Sequence, residues 1–257
     1  MVLEDVAVVV PTSPDEALAA FGDGSDVTVV AGGTIVLPDI TAGRLRPKRA
    51  LLLARAGLDG ITREGGRVTI GAATPLSALE GGDEPLATAA LNVADPEIRG
   101  QATVGGNLCT EASADAPRGD LQAALIALDA TVHSGGKGGE RSEPVEAFLA
   151  DSAGRLVLDV SYDDAPRQTG YAAARRPHSH HYTILAVAAA KRDGDLRVAA
   201  TGVGARASRL TAVEESGSAA DALNGLEPRD DALASGWYRS KLLPSLVERA
   251  LANLEGR

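Results

Sequence analysis

Two glycine pairs, each placed just after an apolar segment, constrain this chain more than any other feature. In VVAGGTIVL, Gly32 and Gly33 follow the apolar run Val27–Val30. In ATVGGNLC, Gly105 and Gly106 stand between Val104 and Asn107. A tight turn needs one glycine. Two in succession strip the side chains from a stretch of backbone, as a chain must where something approaches that backbone closely. Each pair also has a polar neighbour, Thr34 in one case and Thr103 and Asn107 in the other.

The surrounding segments read as mixed strand and helix. Val6–Val10 is strand-like. Ser13 is placed to cap a helix that opens with Pro14 and carries Glu16 at its third position, with Ala17, Leu18 and Phe21 on its apolar side. Val27–Val30 completes a βαβ-like unit ending in the first glycine pair. RVTIGAATPLSALE predicts a strand and then a helix opening at Thr74–Pro75. EPLATAALNVADPEIRG predicts a helix broken near Asp95–Pro96, and LQAALIALDATVHS a short helix and a strand. GGKGGERSEP has the composition of a loop. From residue 155 onward, RLVLDVSY and YTILAVAAAKRDGDLRVAATGVG read as strands with a turn at Asp193–Gly194. Leu242, Leu243, Leu246, Val247, Ala250, Leu251 and Leu254 then recur at helical spacing, with Pro244 in a first turn or at a kink. This is the pattern of two α/β subdomains followed by an α+β part with an antiparallel sheet.

Charge and composition narrow the function. A net charge of −10 argues against a general nucleic-acid binder. No apolar run reaches the roughly 18 residues that span a bilayer. The first residues, MVLEDVAVVVPTSPDEAL, carry acids where a signal peptide has a basic region, so a cytoplasmic location is expected. The 257 residues hold one cysteine, Cys109, which can neither form an intrachain disulfide nor supply the four ligands of an iron–sulfur cluster. Electron chemistry in such a chain needs an organic cofactor or a partner's metal.

Bare amides hydrogen-bond phosphate oxygens well, because an anion can sit directly against the backbone. Two such turns suit a diphosphate gripped from two sides. A side chain added at Gly33 or Gly106 is expected to occupy that diphosphate's space. Other phosphate motifs find no support. There is no G-x-G-x-x-G after the first strand, GGKGGERS lacks the upstream glycine and following hydroxyl of a P-loop, and TGVGA at 201–205 is a lone G-x-G.

At these turns the sequence resembles a known family. VVAGGTIVLPDI and IRGQATVGGNLC…DLQAALIALDATV are similar to the FAD-binding, or medium, subunit of the molybdenum hydroxylases, which include xanthine dehydrogenase and carbon monoxide dehydrogenase. VTIGAATPLSAL, GYAAARRPHSHHYTILAVAAA and WYRSKLLPSLVERAL extend the resemblance over nearly the whole chain. It implies an α+β chain: a two-subdomain FAD-binding fold of the vanillyl-alcohol-oxidase type, over residues 1–57 and 58–162, and a C-terminal α+β domain with an antiparallel sheet over 163–257. By motif position, Val30, Ala31, Gly32, Gly33, Thr34 and Ile35 would contact FAD from one turn, and Ala102, Thr103, Gly106, Asn107 and Cys109 from the other. The family's aspartate after the second turn falls on Asp120 or on Asp115. The spacer TEASADAPRG is longer than usual, and the following LQAAL favours Asp120. Where many members carry a lysine near the flavin ring, this sequence has AAARRP, so Arg175 or Arg176 would take the cation's place.

The resemblance also implies partners: a large subunit with the molybdenum cofactor, a small subunit with 2Fe–2S clusters, and NAD or a quinone as acceptor. No histidine lies in either glycine motif, so the FAD is expected to be noncovalent. The rival readings are a stand-alone FAD-dependent oxidoreductase and a non-enzymatic binding protein that has lost FAD. The remaining candidates have ordinary structural roles. His178, His180 and His181 form a solvated loop rather than a metal site. Cys109 is a packed small residue rather than a redox thiol. The acidic pairs Asp163–Asp164 and Asp230–Asp231 are solvated.

Overall fold

The computed structural model describes residues 6–111, 119–176 and 182–256. Its first sheet forms from β1 (Ala7–Val9), β2 (Thr28–Val30) and β3 (Arg49–Leu52). Between β1 and β2 lies α1 (Pro14–Phe21), and between β2 and β3 lies α2 (Val36–Thr41). The Ser13 hydroxyl accepts the Glu16 amide, as the capping sequence predicts. The three strands are parallel in the order β1-β3-β2, so β3 inserts between the two strands of the expected βαβ unit. Ala17 and Phe21 of α1 pack with Leu51, Leu53, Leu156 and Leu158 in a core of their own.

The second sheet is antiparallel, β4-β5-β8-β6-β7. It uses β4 (Ile61–Glu64), β5 (Arg67–Gly71), β6 (Thr131–Gly136), β7 (Arg141–Pro144) and β8 (Arg155–Asp163). Short helices fill the path from β5 to β6: α3 (Leu86–Leu91), α4 (Pro96–Arg99), α5 (Val104–Leu108) and α6 (Gln122–Ala127). After β7 comes α7 (Val145–Ala150). Two expectations change here. TPLSALE forms a short 3-10 turn over Leu76–Leu79 rather than an α-helix opening at Thr74–Pro75, because the segment is tied by backbone bonds to the second glycine turn. The loop composition of GGKGGERSEP hides a hairpin: β6 runs to Gly136 and pairs with β7, leaving 137–140 as the turn.

The third sheet, antiparallel in the order β12-β11-β10-β9, holds β9 (Gln168–Arg175), β10 (Thr183–Arg192), β11 (Asp195–Thr201) and β12 (Ser208–Arg209). Asp193 and Gly194 both take positive φ in the β10–β11 turn, as a two-residue hairpin requires. The sheet is followed by α8 (Thr211–Ser216) and α9 (Gly236–Leu254). The first eight residues of β10 are all buried. Ala188 and Ala190 join the core of α6 and the second sheet, whereas Val187 and Ala189 join Leu243, Leu246, Val247 and Ala250 of α9. A strand covered on both faces loses the alternation of a half-exposed one, which explains the continuous TILAVAAA.

α9 lies so close to β9 that a Cβ on Gly170 would overlap the Ala250 carbonyl oxygen and stand 3.3 Å from the Leu254 amide nitrogen. Pro244 is well inside this helix rather than in its first turn. Arg239, fully buried, donates to the carbonyl oxygens of Ile184 (3.0 Å) and Gly202 and pairs with Asp231 at 2.5 Å. The acidic pairs are therefore engaged rather than merely solvated. Asp231 holds Arg239, Asp230 accepts the Gly236 amide at 2.6 Å, Asp163 pairs with Arg67 and Arg192, and Asp164 pairs with Arg63. Replacing Gly170 with alanine should push α9 off β9 and lower the unfolding free energy by about 2 kcal/mol, read from urea denaturation followed by circular dichroism. An unchanged midpoint would mean that the contact is not tight.

Candidate functional site

The two glycine turns meet. A Cβ on Gly32 would overlap the carbonyl oxygen of Gln101, lie 2.7 Å from its carbon and lie 3.0 Å from the Ala102 Cα. What approaches the first bare backbone is thus the chain's own second turn. Gly33 answers a different need, a φ of +72° that side-chain-bearing residues rarely adopt. The second turn is in turn stitched to the segment leaving β5. The Gly105 amide donates to the Ala72 carbonyl (2.8 Å), the Val104 amide to Thr74 (3.0 Å), and the Leu76 amide to Ala102 (2.9 Å). A Cβ on Gly105 would press on Ala72 at 2.8 Å. Thr103 caps α5 through its hydroxyl, which accepts the Gly106 amide at 3.2 Å, and a Cβ on Gly106 would meet that same oxygen at 2.9 Å. A side chain at Gly33 or Gly106 therefore disturbs local backbone as well as the space beside it.

A cleft of about 940 Å³ opens along these turns. Ala31, Gly32, Gly33, Thr34 and Ile35 line it from the first turn, and Ala102, Thr103, Gly106, Asn107 and Cys109 from the second, together with Asp120. Val30 and Arg175 lie outside the lining: Val29 takes the strand's cleft-facing place while Val30 is buried, and Arg175 is exposed at the end of β9. Arg176 is also exposed, its amide donating to the Tyr182 carbonyl at 3.0 Å and its guanidinium reaching the Ala232 carbonyl at 3.5 Å. Asp115, His178, His180 and His181 fall outside the described residues. The sequence reading missed a wall at residues 92–95, Arg155, and Tyr182–Thr183 at the start of β10, all of which line the cleft. The signal for the wall was Asp95–Pro96 just ahead of the second turn: Asp95 caps α4 by accepting the Ile98 amide at 2.8 Å.

The donor set is mostly backbone. Among the described residues, the amides of Gly32, Gly33, Thr34 and Ile35 donate to no acceptor. Arg155 is the one cation among the described lining residues, and its guanidinium is already spread over Ser134 and the carbonyls of Lys137 (2.6 Å) and Gly139 (2.7 Å). Burial lowers its pKa, with Arg141 adding to the effect. Acids that line the cleft are engaged as well: Asp39 pairs with Arg44 at 2.6 Å and Glu111 with Arg206. An anion entering here is met chiefly by neutral amides in a concave array.

Other contacts hold the array in shape. The Asn107 side-chain oxygen accepts the Leu121 amide at 2.9 Å, pinning α5 to the residue after Asp120. Gln122 donates to the carbonyls of Leu108 (2.8 Å) and Thr110 (3.0 Å) and accepts the Ala207 amide at 2.8 Å. Thr74, where the sequence predicts a helix to open, is fully buried and both donates to and accepts from the Gly60 backbone. Tyr171 of β9 is held above its ordinary pKa by burial first and the Asp120 charge second, with Arg175 opposing.

Cys109 corrects the expectation of a packed residue: it is exposed on the cleft wall. The protein around its sulfur nevertheless pushes the thiol pKa up, and Arg206 only partly opposes this. The thiol stays protonated near neutral pH, unlike a redox-active cysteine.

These features fit FAD. An open row of amides at residues 32–35 suits a diphosphate's oxygens, and a cleft of about 940 Å³ has room for a cofactor of that size. The comparisons agree. The family described as the FAD binding domain in molybdopterin dehydrogenase matches residues 4–161. The chain belongs to this family: it is an FAD-binding medium subunit of the molybdenum hydroxylases, a class of oxidoreductases. It is 28% identical over 277 residues to the alpha subunit of the 6-hydroxypseudooxynicotine dehydrogenase complex of Paenarthrobacter nicotinovorans, covering 95% of this chain and 92% of that one. It is 28% identical over 275 residues to the carbon monoxide dehydrogenase medium chain of Hydrogenophaga pseudoflava, covering 94% of each. A solved carbon monoxide dehydrogenase from that organism superposes with a TM-score of 0.85 at 26% identity, over 100% of this chain and 99% of the other.

The raised thiol pKa has a kinetic consequence. Alkylation of Cys109 by iodoacetamide should keep accelerating about tenfold per pH unit beyond the ordinary thiol range, because the rate follows the thiolate fraction. A rate that levels off at or below about pH 9 to 10 would show a thiol of normal or lowered pKa.

Proposed function

We propose that this chain is the flavin subunit of a three-part molybdenum hydroxylase, receiving electrons from the 2Fe–2S clusters of a small subunit and passing them to NAD, a quinone or another acceptor. The observation that carries the reading is the run of unengaged amides at residues 32–35 set against the second bare turn. Bound FAD supplies redox chemistry that can join one-electron donors to two-electron acceptors. The chain's own residues hold it. The amides of Gly32, Gly33, Thr34 and Ile35 would take the diphosphate oxygens. Thr103 and Asn107 keep the second turn in register, and Asp120 would accept hydroxyl protons of the chain that joins diphosphate to flavin. The contacts are noncovalent. Arg175 stands beyond the cleft lining, so in this reading it acts on the flavin at long range through charge.

The division at residues 57 and 162 is part of the same proposal. It is supported by three separate sheets, within residues 7–52, 61–163 and 168–209. No helix among the described residues is long and apolar enough to cross a membrane.

Co-expression with a molybdenum-cofactor large subunit and an iron–sulfur small subunit tests the reading. The complex should copurify with FAD, released intact by acid, and substrate should bleach the flavin band. A chain that stays apart from both partners and turns over a small substrate alone would instead be a stand-alone flavin oxidoreductase. A chain that fails to take up FAD would be neither.

A further inference from the structure

The cleft wall at residues 92–95 departs from the rules that shape the rest of the site. Ala94 lies in it with a φ of +41°, a conformation that costs an alanine energy and persists only where neighbours impose it. The side chain packed against its carbonyls is that of Arg99. The side chain is 10% exposed. One guanidinium nitrogen donates to the carbonyl oxygens of both Val93 (3.1 Å) and Ala94 (3.2 Å), and Nε donates to Glu80 at 2.6 Å. Arg99 is on α4, just ahead of the second glycine turn, and α4 also supplies Ile98 to the cleft. From the other side, the buried Thr183 at the start of β10 reaches the Asn92 carbonyl at 3.4 Å. The wall is thus a strap tied to α4 by Arg99 and to the third sheet by Thr183.

We infer that Arg99 is a positioning residue for the cofactor: by gripping the carbonyls of Val93 and Ala94 it holds the 92–95 strap in the strained shape that completes the cleft. The inference rests on the reading that the cleft takes FAD. The guanidinium is committed to Glu80 and to the carbonyls behind the strap, and its action reaches a ligand only through that backbone. Lysine keeps the charge but offers no planar fork, so it cannot reproduce the Glu80 bond and the two carbonyl bonds together. Glycine at position 94 removes the need for the constraint, because it adopts positive φ without strain.

The test compares Arg99→Lys with Val247→Ala, a core truncation in α9 that lies outside the cleft lining. The measurements are FAD affinity by flavin fluorescence, melting temperature, and amide hydrogen exchange of the peptide covering 91–98 without flavin. Arg99→Lys should weaken FAD by about tenfold or more and speed exchange in that peptide. Val247→Ala should lower the melting temperature and leave FAD affinity near wild type. Adding Ala94→Gly to Arg99→Lys should restore part of the lost affinity. The inference is overturned if exchange in the strap is unchanged in Arg99→Lys, or if affinity falls only as it does in Val247→Ala. If the wild-type chain itself takes up no FAD, the cofactor reading fails, while the exchange comparison still decides whether Arg99 holds the strap.

Discussion

The site depends on one contact between backbones. Gly32 lies against Gln101 and Ala102 with no room for a methyl group. That contact joins the end of the first, parallel sheet to the helical path that leaves the second, antiparallel sheet. Around it the rest follows. The first turn is left with amides that have no acceptor among the described residues, and the second is locked by bonds to Ala72, Thr74 and Ala102. The charges nearby are largely committed to one another, so the backbone is what remains to meet an anion. An array fixed in this way needs little reorganisation when it is filled.

The third sheet gives the cleft its depth. β10 is buried from both sides, by α6 and by α9, and its first residue, Thr183, lines the cleft together with Tyr182 just before it. Arg239 fixes α9 to the carbonyls at the start of β10 and the end of β11. A change that cuts this tie, at Asp231, would therefore reach the cleft by moving the strand that bounds it, whereas a core truncation such as Val247→Ala leaves the tie in place.

Much of this was legible from residue order. Ser13–Pro14 announced α1, Asp193–Gly194 the β10–β11 hairpin, and the leucine spacing α9. Both glycine turns were recognised, and most of the residues drawn from them line the cleft. What escaped was set by tertiary contact. α2 contains Pro38 and buries no residue, so no periodicity marked it. β3 sits between β1 and β2 because three-dimensional pairing, which leaves no local trace, placed it there. The choice between Val29 and Val30 as the cleft-facing residue is a matter of strand phase, which a short apolar run does not encode. Ala94 is the sharpest case: nothing in an alanine's identity predicts positive φ, and its carbonyl bond to the buried Arg99 is a side-chain contact that leaves no trace in residue order.

The most direct measurement is FAD titration of Gly32→Ala, with circular dichroism to establish that the variant is folded. A methyl group at this position must part the two turns, while the φ of residue 32 gives alanine no strain of its own. The account predicts a folded chain whose FAD affinity falls by about a hundredfold. A folded Gly32→Ala chain that binds FAD as tightly as wild type would contradict it, because the two turns would then not have to touch to make the site.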